Sequence, residues 1–356
     1  MKSAYDATIE EAVELHERAF AAGAAARWSE AAEAAREALT IFENEDGLDS
    51  PDVANLCNLL SEAAEAQGQY PAAEAYARRA CGIMEQLGSR CRGPEGVAIR
   101  GDALGRLGKA LRGAGRYREA EQWLIRALEH AEMTGQRLPA ALNDLGVLYQ
   151  HAGNFAFAEQ LYRRALELVA ETSMEAATLY RNLGALAHAR GRFAEGEADA
   201  RRAWELRRQL RGADHPETLA DSCAYAALLD GLGRYDDAER IYRAALAAFE
   251  PFYGVEHLEI AVALHNLAAV RWTKGDAAEA EVLYRHAAVI KGKLLGTWHP
   301  DTALTLHNYA VMLADLGRTS EARALSRKVL SVFERVLDSF HPQRVAAREL
   351  WERLKK

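Results

Sequence analysis

One short phrase, repeated at near-constant spacing, limits how this chain folds. A glycine, a polar residue and an aromatic, followed by acidic residues and alanine, recur as Gly68-Gln69-Tyr70, Gly115-Arg116-Tyr117, Gly153-Asn154-Phe155, Gly191-Arg192-Phe193 and Gly233-Arg234-Tyr235. The phrase continues without its aromatic as Gly275-Asp276-Ala277 and Gly317-Arg318-Thr319, and a first copy reads Ala26-Arg27-Trp28. Successive copies lie 42, 47, 38, 38, 42, 42 and 42 residues apart. A period of this length marks an array of supersecondary units, none of which buries its apolar face alone.

Each copy has the same internal grammar. Eight residues before the Gly stands a large apolar residue (Leu60, Leu107, Leu145, Leu183, Tyr225, Leu267, Tyr309), followed at once by a small one (Ser61, Gly108, Gly146, Gly184, Ala226, Ala268, Ala310). Small residues recur five after it, from Ala31 to Ala322, and twelve after it, from Ala38 to Ala287, with Val329 last. Apolar residues at intervals of three and four on both sides of the Gly predict two helices per copy. The Gly itself supplies the C-cap of the first. Gly108, Gly146 and Gly184, inside helices where Gly costs about 1 kcal/mol, are expected where a partner helix comes close. Several copies end in a longer linker: Gly212 to Pro216, Gly254 to Leu258, Gly296 to Pro300, and Ser339 to Pro342. Its prolines suit the first turn of the next helix, and its histidines (His215, His299, His341) are expected to help cap that helix.

This grammar resembles the tetratricopeptide repeat, in its kinesin-light-chain variety. The resemblance rests on the roughly 42-residue period, the run Gly233-Arg234-Tyr235-Asp236-Asp237-Ala238-Glu239, Leu306-His307-Asn308-Tyr309-Ala310, and the Gly-x-x-His-Pro linker. It implies an all-α, right-handed α-solenoid of about eight helix-turn-helix repeats over 1–342. The approximate repeats are 5–47, 48–92, 93–136, 137–171, 172–213, 214–255, 256–297 and 298–340, with a capping helix over 343–356. The first copy is degenerate, since Arg18 stands where the large apolar residue belongs.

Composition narrows the function. The chain is 49% hydrophobic and 27% charged with only 8 prolines, which fits a folded chain rather than a disordered one. No apolar run of about 18 residues exists to span a membrane. The start, rich in Glu10, Glu11 and Glu14, lacks the features of a secretory signal. Cys57, Cys81, Cys91 and Cys223 show no paired spacing and read as reduced thiols. Together these point to a cytoplasmic protein. Eight lysines against 36 arginines point to a GC-rich, bacterial genome.

Chemistry is scarce. No HExxH or zinc spacing accompanies the 11 histidines, so no metal is expected. The glycines from Gly101 to Gly108 miss the phosphate-loop pattern, with Ala103 and Ala110 at two required positions. No nucleophile elbow occurs. The sequence therefore predicts no catalytic residue and no cofactor, and a chain that is not an enzyme.

A binding role is what remains. In peptide-binding relatives, as the resemblance implies, the residue nine before the Gly faces the concave groove. Here that row reads Leu59, Arg106, Asp144, Asn182, Ala224, Asn266 and Asn308, and the row before it Asn58, Gly105, Asn143, Arg181, Cys223, His265 and His307. A carboxamide pairs with both N–H and C=O of an extended chain. Asn58, Arg106, Lys109, Asn143, Asp144, Arg181, Asn182, His265, Asn266, His307 and Asn308 are the candidate peptide- or protein-binding residues. Ala185, Ala227, Ala269 and Val311 would form a small apolar floor. The expected function is a scaffold or adaptor for a peptide or extended protein segment. Two alternatives stand beside it: a peptide-sensing receptor that switches a separate effector enzyme, and a self-associating scaffold. The last is suggested by charge: the net −8 divides into −11 over residues 1–66 and +3 beyond, with +5 over 90–126. Nucleic acid is disfavoured, because the Arg cluster lacks interleaved aromatics.

Overall fold

The computed structural model describes residues 4–45 and 47–355. Its regular structure is a succession of α-helices: α1 (Ala4–Ala24), α2 (Trp28–Glu45), α3 (Pro51–Ala66), α4 (Tyr70–Leu87), α5 (Pro94–Gly113), α6 (Tyr117–Thr134), α7 (Leu138–His151), α8 (Phe155–Leu166), α9 (Met174–Ala189), α10 (Phe193–Arg211), α11 (Pro216–Gly231), α12 (Tyr235–Tyr253), α13 (Leu258–Thr273), α14 (Ala277–Leu294), α15 (Pro300–Asp315), α16 (Thr319–Val336) and α17 (Pro342–Lys355). Odd-numbered helices up to α15 are the first helices of the copies and even-numbered ones the second. The fold is an α-solenoid, and no strand occurs among the described residues.

The repeated glycine explains the breaks. At Gly191 φ is +67° and at Gly233 +77°, a left-handed conformation open to Gly at no steric cost. The chain then folds back on the helix it leaves: the Gly191 N–H donates to His188 O at 2.9 Å and the Arg192 N–H to Ala187 O at 2.8 Å. In the first copy Ala26 takes this conformation at φ 56°. Ala26→Gly is therefore expected to stabilise the protein by about 1 kcal/mol, read by urea denaturation. An unchanged midpoint would mean the neighbouring chain relieves the strain at Ala26.

The small residues fix how closely the helices pack. A Cβ on Gly184 would lie 2.9 Å from the Ala200 Cβ and 3.2 Å from its backbone nitrogen. Gly108 and Gly146 meet Leu124 and Tyr162 in the same way, at 2.5 and 2.6 Å.

The linkers start the next helix. His215, His257, His299 and His341 each accept, at Nδ1, the backbone N–H two residues on, from Glu217, Glu259, Asp301 and Gln343 at 3.1–3.3 Å. Where the linker is missing, Ser50 and Ser173 cap through Oγ. The recurrent linker histidines are thus N-caps. The Arg after the Gly ties copies together. Arg116 binds Glu119 of its own helix and Glu74 of the previous copy, and Arg234 and Arg318 do the same with Asp237 and Glu197, and with Glu321 and Glu281. Exposed pairs of this kind contribute at most about 1 kcal/mol each, but they hold one copy in step with the next.

The chain divides into two compact units at Leu145 and Gly146. In the first, Leu107, Leu111 and Leu124 are fully buried. In the second, Tyr225, Leu228, Tyr242, Phe249, Ile260 and Leu267 share one apolar cluster. Its last helix, α17, covers the terminal pair by setting Leu350 and Leu354 against Tyr309, Ala310 and Leu313. The second unit also touches itself across 190 residues: His341 Nε2 donates to His151 O at 3.1 Å. No helix of the described residues is long and apolar enough to cross a membrane.

Candidate functional site

The candidate residues lie on the first helices, and the two units use them differently. In the first unit most of them are engaged inside the stack. Asn58 is buried on α3 and donates to Ile99 O of α5 at 3.0 Å, linking two first helices. Arg106 Nη2 pairs with Glu62 Oε2 at 2.5 Å, and Lys109 Nζ lies 3.8 Å from Glu65 Oε2. Burial works against the Arg106 charge, but Glu62, Glu65 and Asp102 outweigh it and hold its pKa up. Part of the basic stretch is therefore paired with the end of the acidic start within one unit, through Arg112–Glu65 as well, while Arg79 pairs with Glu43 and Arg126 with Glu85. Asn143 and Asp144 are half-buried on α7, where Asp144 lines a shallow recess with Gly105, Asp102 and Arg137.

In the second unit the first helices α9, α11, α13 and α15 lie side by side. Asn182, Ala224, Asn266 and Asn308 form one half-buried row along them, and Ala185, Ala227, Ala269 and Val311 a second. Neither row is sealed under another helix nor fully open. Arg181 is 36% exposed beside the first row, with its Nε 3.6 Å from Asp221 Oδ1. Asn266 sits against the buried Tyr242 hydroxyl.

His265 and Asn308 come together in a way the sequence did not show. Asn308 Nδ2 lies 3.2 Å from His265 Nε2, and His265 Nδ1 lies 3.1 Å from Thr305 Oγ1. An amide N–H only donates, so Nε2 is the bare nitrogen and Nδ1 carries the proton. Thr305 Oγ1 accepts that hydrogen bond and donates its own to Asp301 O at 3.3 Å. Burial, with Lys291 nearby, pushes the His265 pKa down to about 3. This imidazole is a neutral link between α13 and α15. His307 is buried too, and burial lowers its pKa. Burial likewise raises the Cys223 thiol far above its ordinary value, which makes it a poor nucleophile.

The sequence pattern of the tetratricopeptide repeat matches residues 100–171, 175–250, 223–291 and 302–343, more than half of the chain. The chain belongs to the tetratricopeptide repeat family. Arrays of this repeat typically serve protein–protein interaction. Nothing among curated protein sequences matches this one. Among solved structures, it is similar to a Rap protein complexed with competence and sporulation factor, with a TM-score of 0.62 at 13% identity over 99% of this chain and 96% of that one. A tetratricopeptide repeat protein from Parabacteroides merdae superposes with a TM-score of 0.50 at 16% identity, over 85% of this chain and 99% of that one. A putative kinesin light chain of Podosopora anserina is 20% identical over 55% of this chain and 95% of that one, at a TM-score of 0.40.

This tetratricopeptide array also carries groups the reading of first helices passed over. Sixteen residues after the repeat Gly, or after Ala26, stand Phe42, Met84, Ala131, Val169, Arg207, Phe249, Lys291 and Phe333, on the second helices except for Val169, which follows α8. Two cations interrupt an apolar column, and that signal was visible in the spacing. Arg207 is 3% exposed. Its guanidinium binds Asp221 at 2.6 Å, Glu217 at 2.8 Å and Thr178 Oγ1 at 3.0 Å. Asp221 is fully buried, and burial raises its pKa despite Arg181 and Arg207.

Proposed function

We propose that this protein is a non-catalytic adaptor that holds an extended peptide segment of a partner along the first-helix face of its second unit. One observation carries the reading: two parallel half-buried rows, amide-bearing and small-apolar, along the first helices of the second unit. Asn side chains offer donors and acceptors to a peptide backbone. The alanine row lets that backbone approach closely, while the groove walls exclude water. The similar Rap protein is complexed with competence and sporulation factor, which accords with a binding role for this architecture. Self-association through the acidic and basic segments is less favoured, because Arg106, Lys109 and Arg112 of the basic segment already face Glu62 and Glu65 within the first unit.

A synthetic decapeptide library, selected on the full chain, tests the reading. Ala185→Arg and Ala227→Arg each place a long cation on the groove floor, at half-buried positions outside the apolar clusters. Selected peptides are expected to lose at least tenfold in affinity for both variants, measured by fluorescence anisotropy, with melting unchanged. Equal affinity for both would move the interface off this face. Asn308 is a poor probe, since its loss also releases His265.

A further inference from the structure

We propose that the Lys291 ammonium is a carboxylate-binding subsite of this groove, seating an acidic side chain or the C-terminal carboxylate of the bound peptide. The inference rests on the groove reading and adds what the groove selects.

The chain contains its own precedent. Arg207 and Lys291 occupy the same repeat position, and both are buried, at 3% and 5% exposure. Around Arg207 the repeat supplies Asp221, Glu217 and Thr178. The corresponding positions around Lys291 hold Thr305, Asp301 and Val262. The fully buried carboxylate has become a threonine. That threonine is already engaged with His265 and Asp301 O. Burial lowers the Lys291 pKa and Asp301 opposes this through space, and His265 feels the ammonium in turn. Among the described residues, no carboxylate oxygen lies within ion-pair distance of Lys291 Nζ, and no hydrogen bond is made by it. A buried cation is favourable only when paired.

The position lies next to the candidate row. His265 belongs to the candidate row on α13, and Lys291 lies within electrostatic reach of it. Val262, in the place of Thr178, is 38% exposed and makes no hydrogen bond to block an approach from the front. In the earlier repeat, Asp221 touches both the buried Arg207 and the half-exposed Arg181 of the groove row. A peptide carboxylate entering beside Val262 would stand to Lys291 as Asp221 stands to Arg207. A charge-assisted contact of that kind discriminates by about tenfold or more against a neutral isostere.

The test uses the full chain and two pools of the decapeptide library, one amidated at the C-terminus and one with the free acid. On the wild type, selection is expected to enrich Asp or Glu at one fixed position in the amidated pool, if a side chain is the source. If the terminus is the source, the free-acid pool alone is enriched. Lys291→Met removes the cation, and Thr305→Asp supplies the missing carboxylate from within, as Asp221 does. Both should abolish the acidic preference by about tenfold while leaving selection at other positions intact. Lys291→Arg should retain it. An acidic preference that survives Lys291→Met or Thr305→Asp overturns the proposal, as does its absence from a wild type that still selects peptides. If the wild type selects no peptide, the groove reading falls and the subsite with it. Thermal melting separates these outcomes from misfolding, because Lys291→Met removes a buried charge and should melt no lower than the wild type.

Discussion

Asp221→Leu is expected to lower stability by about 3–5 kcal/mol, and the double variant Arg207→Met/Asp221→Leu to recover most of that loss. Asp221 is fully buried and Arg207 nearly so, with 2.6 Å between Asp221 Oδ2 and Arg207 Nε. Removing the carboxylate leaves a guanidinium in a setting that solvates it poorly, with only the half-exposed Glu217 and Thr178 still bound. Removing both charges leaves two apolar side chains of similar size beside Leu206 and its neighbours. Glu217 and Arg181, both reached by solvent, lose little when released. Equilibrium urea denaturation of the two single variants and the double variant at pH 7 gives the coupling between the residues. A double variant as weak as Asp221→Leu alone would mean that the geometry of the pair, rather than a stranded charge, holds α9, α10 and α11 together.

The features legible in the sequence were those set by one residue's own backbone or size. Gly191 and Gly233 turn the chain because they accept positive φ, and Gly184 marks a close approach because nothing larger fits beside Ala200. His215 and His299 read as linker residues and act as N-caps, for a local reason. What was not legible depends on where a neighbouring repeat places its atoms. Asn58 and Asn308 look alike as candidate ligands, yet one donates to Ile99 O and the other to His265. Arg106 and Lys109 looked like a basic surface. Each stands 44 residues after a glutamate, about one repeat, and that spacing brings Glu62 and Glu65 against them. Charge counted along the chain pointed outward to a partner, whereas repeat spacing folds it inward. The pairing of Arg207 with Asp221 follows the same logic and was hidden by attention to the first helices alone.

His265 makes stability depend on acid in a way that can be isolated. The unfolded imidazole takes up its proton near 6.5, whereas burial and the nearby Lys291 hold the folded one down to about 3. Between those values the unfolded state binds a proton that the folded state refuses, so stability is full above pH 6.5 and falls as the pH falls toward 3. The slope from one such group is about 1.4 kcal/mol per pH unit, and the whole window amounts to roughly 5 kcal/mol. Protonation at Nε2 also turns the acceptor of the Asn308 amide into a donor facing a donor. His188, His307 and His341 have pKa values lowered by burial as well, so the wild-type curve sums several slopes. His265→Gln separates them, because glutamine keeps polar atoms near Thr305 and Asn308 but does not titrate. The variant is expected to be less stable than the wild type at pH 7.5, equal to it near pH 5, and more stable at pH 4. Parallel curves would mean that His265 titrates alike in both states. Histidine C2–H resonances check the same point directly: one imidazole, missing from the spectrum of His265→Gln, should remain neutral down to pH 4. Lys291→Met should shift that resonance's midpoint upward, since it removes the cation that helps burial keep the ring neutral.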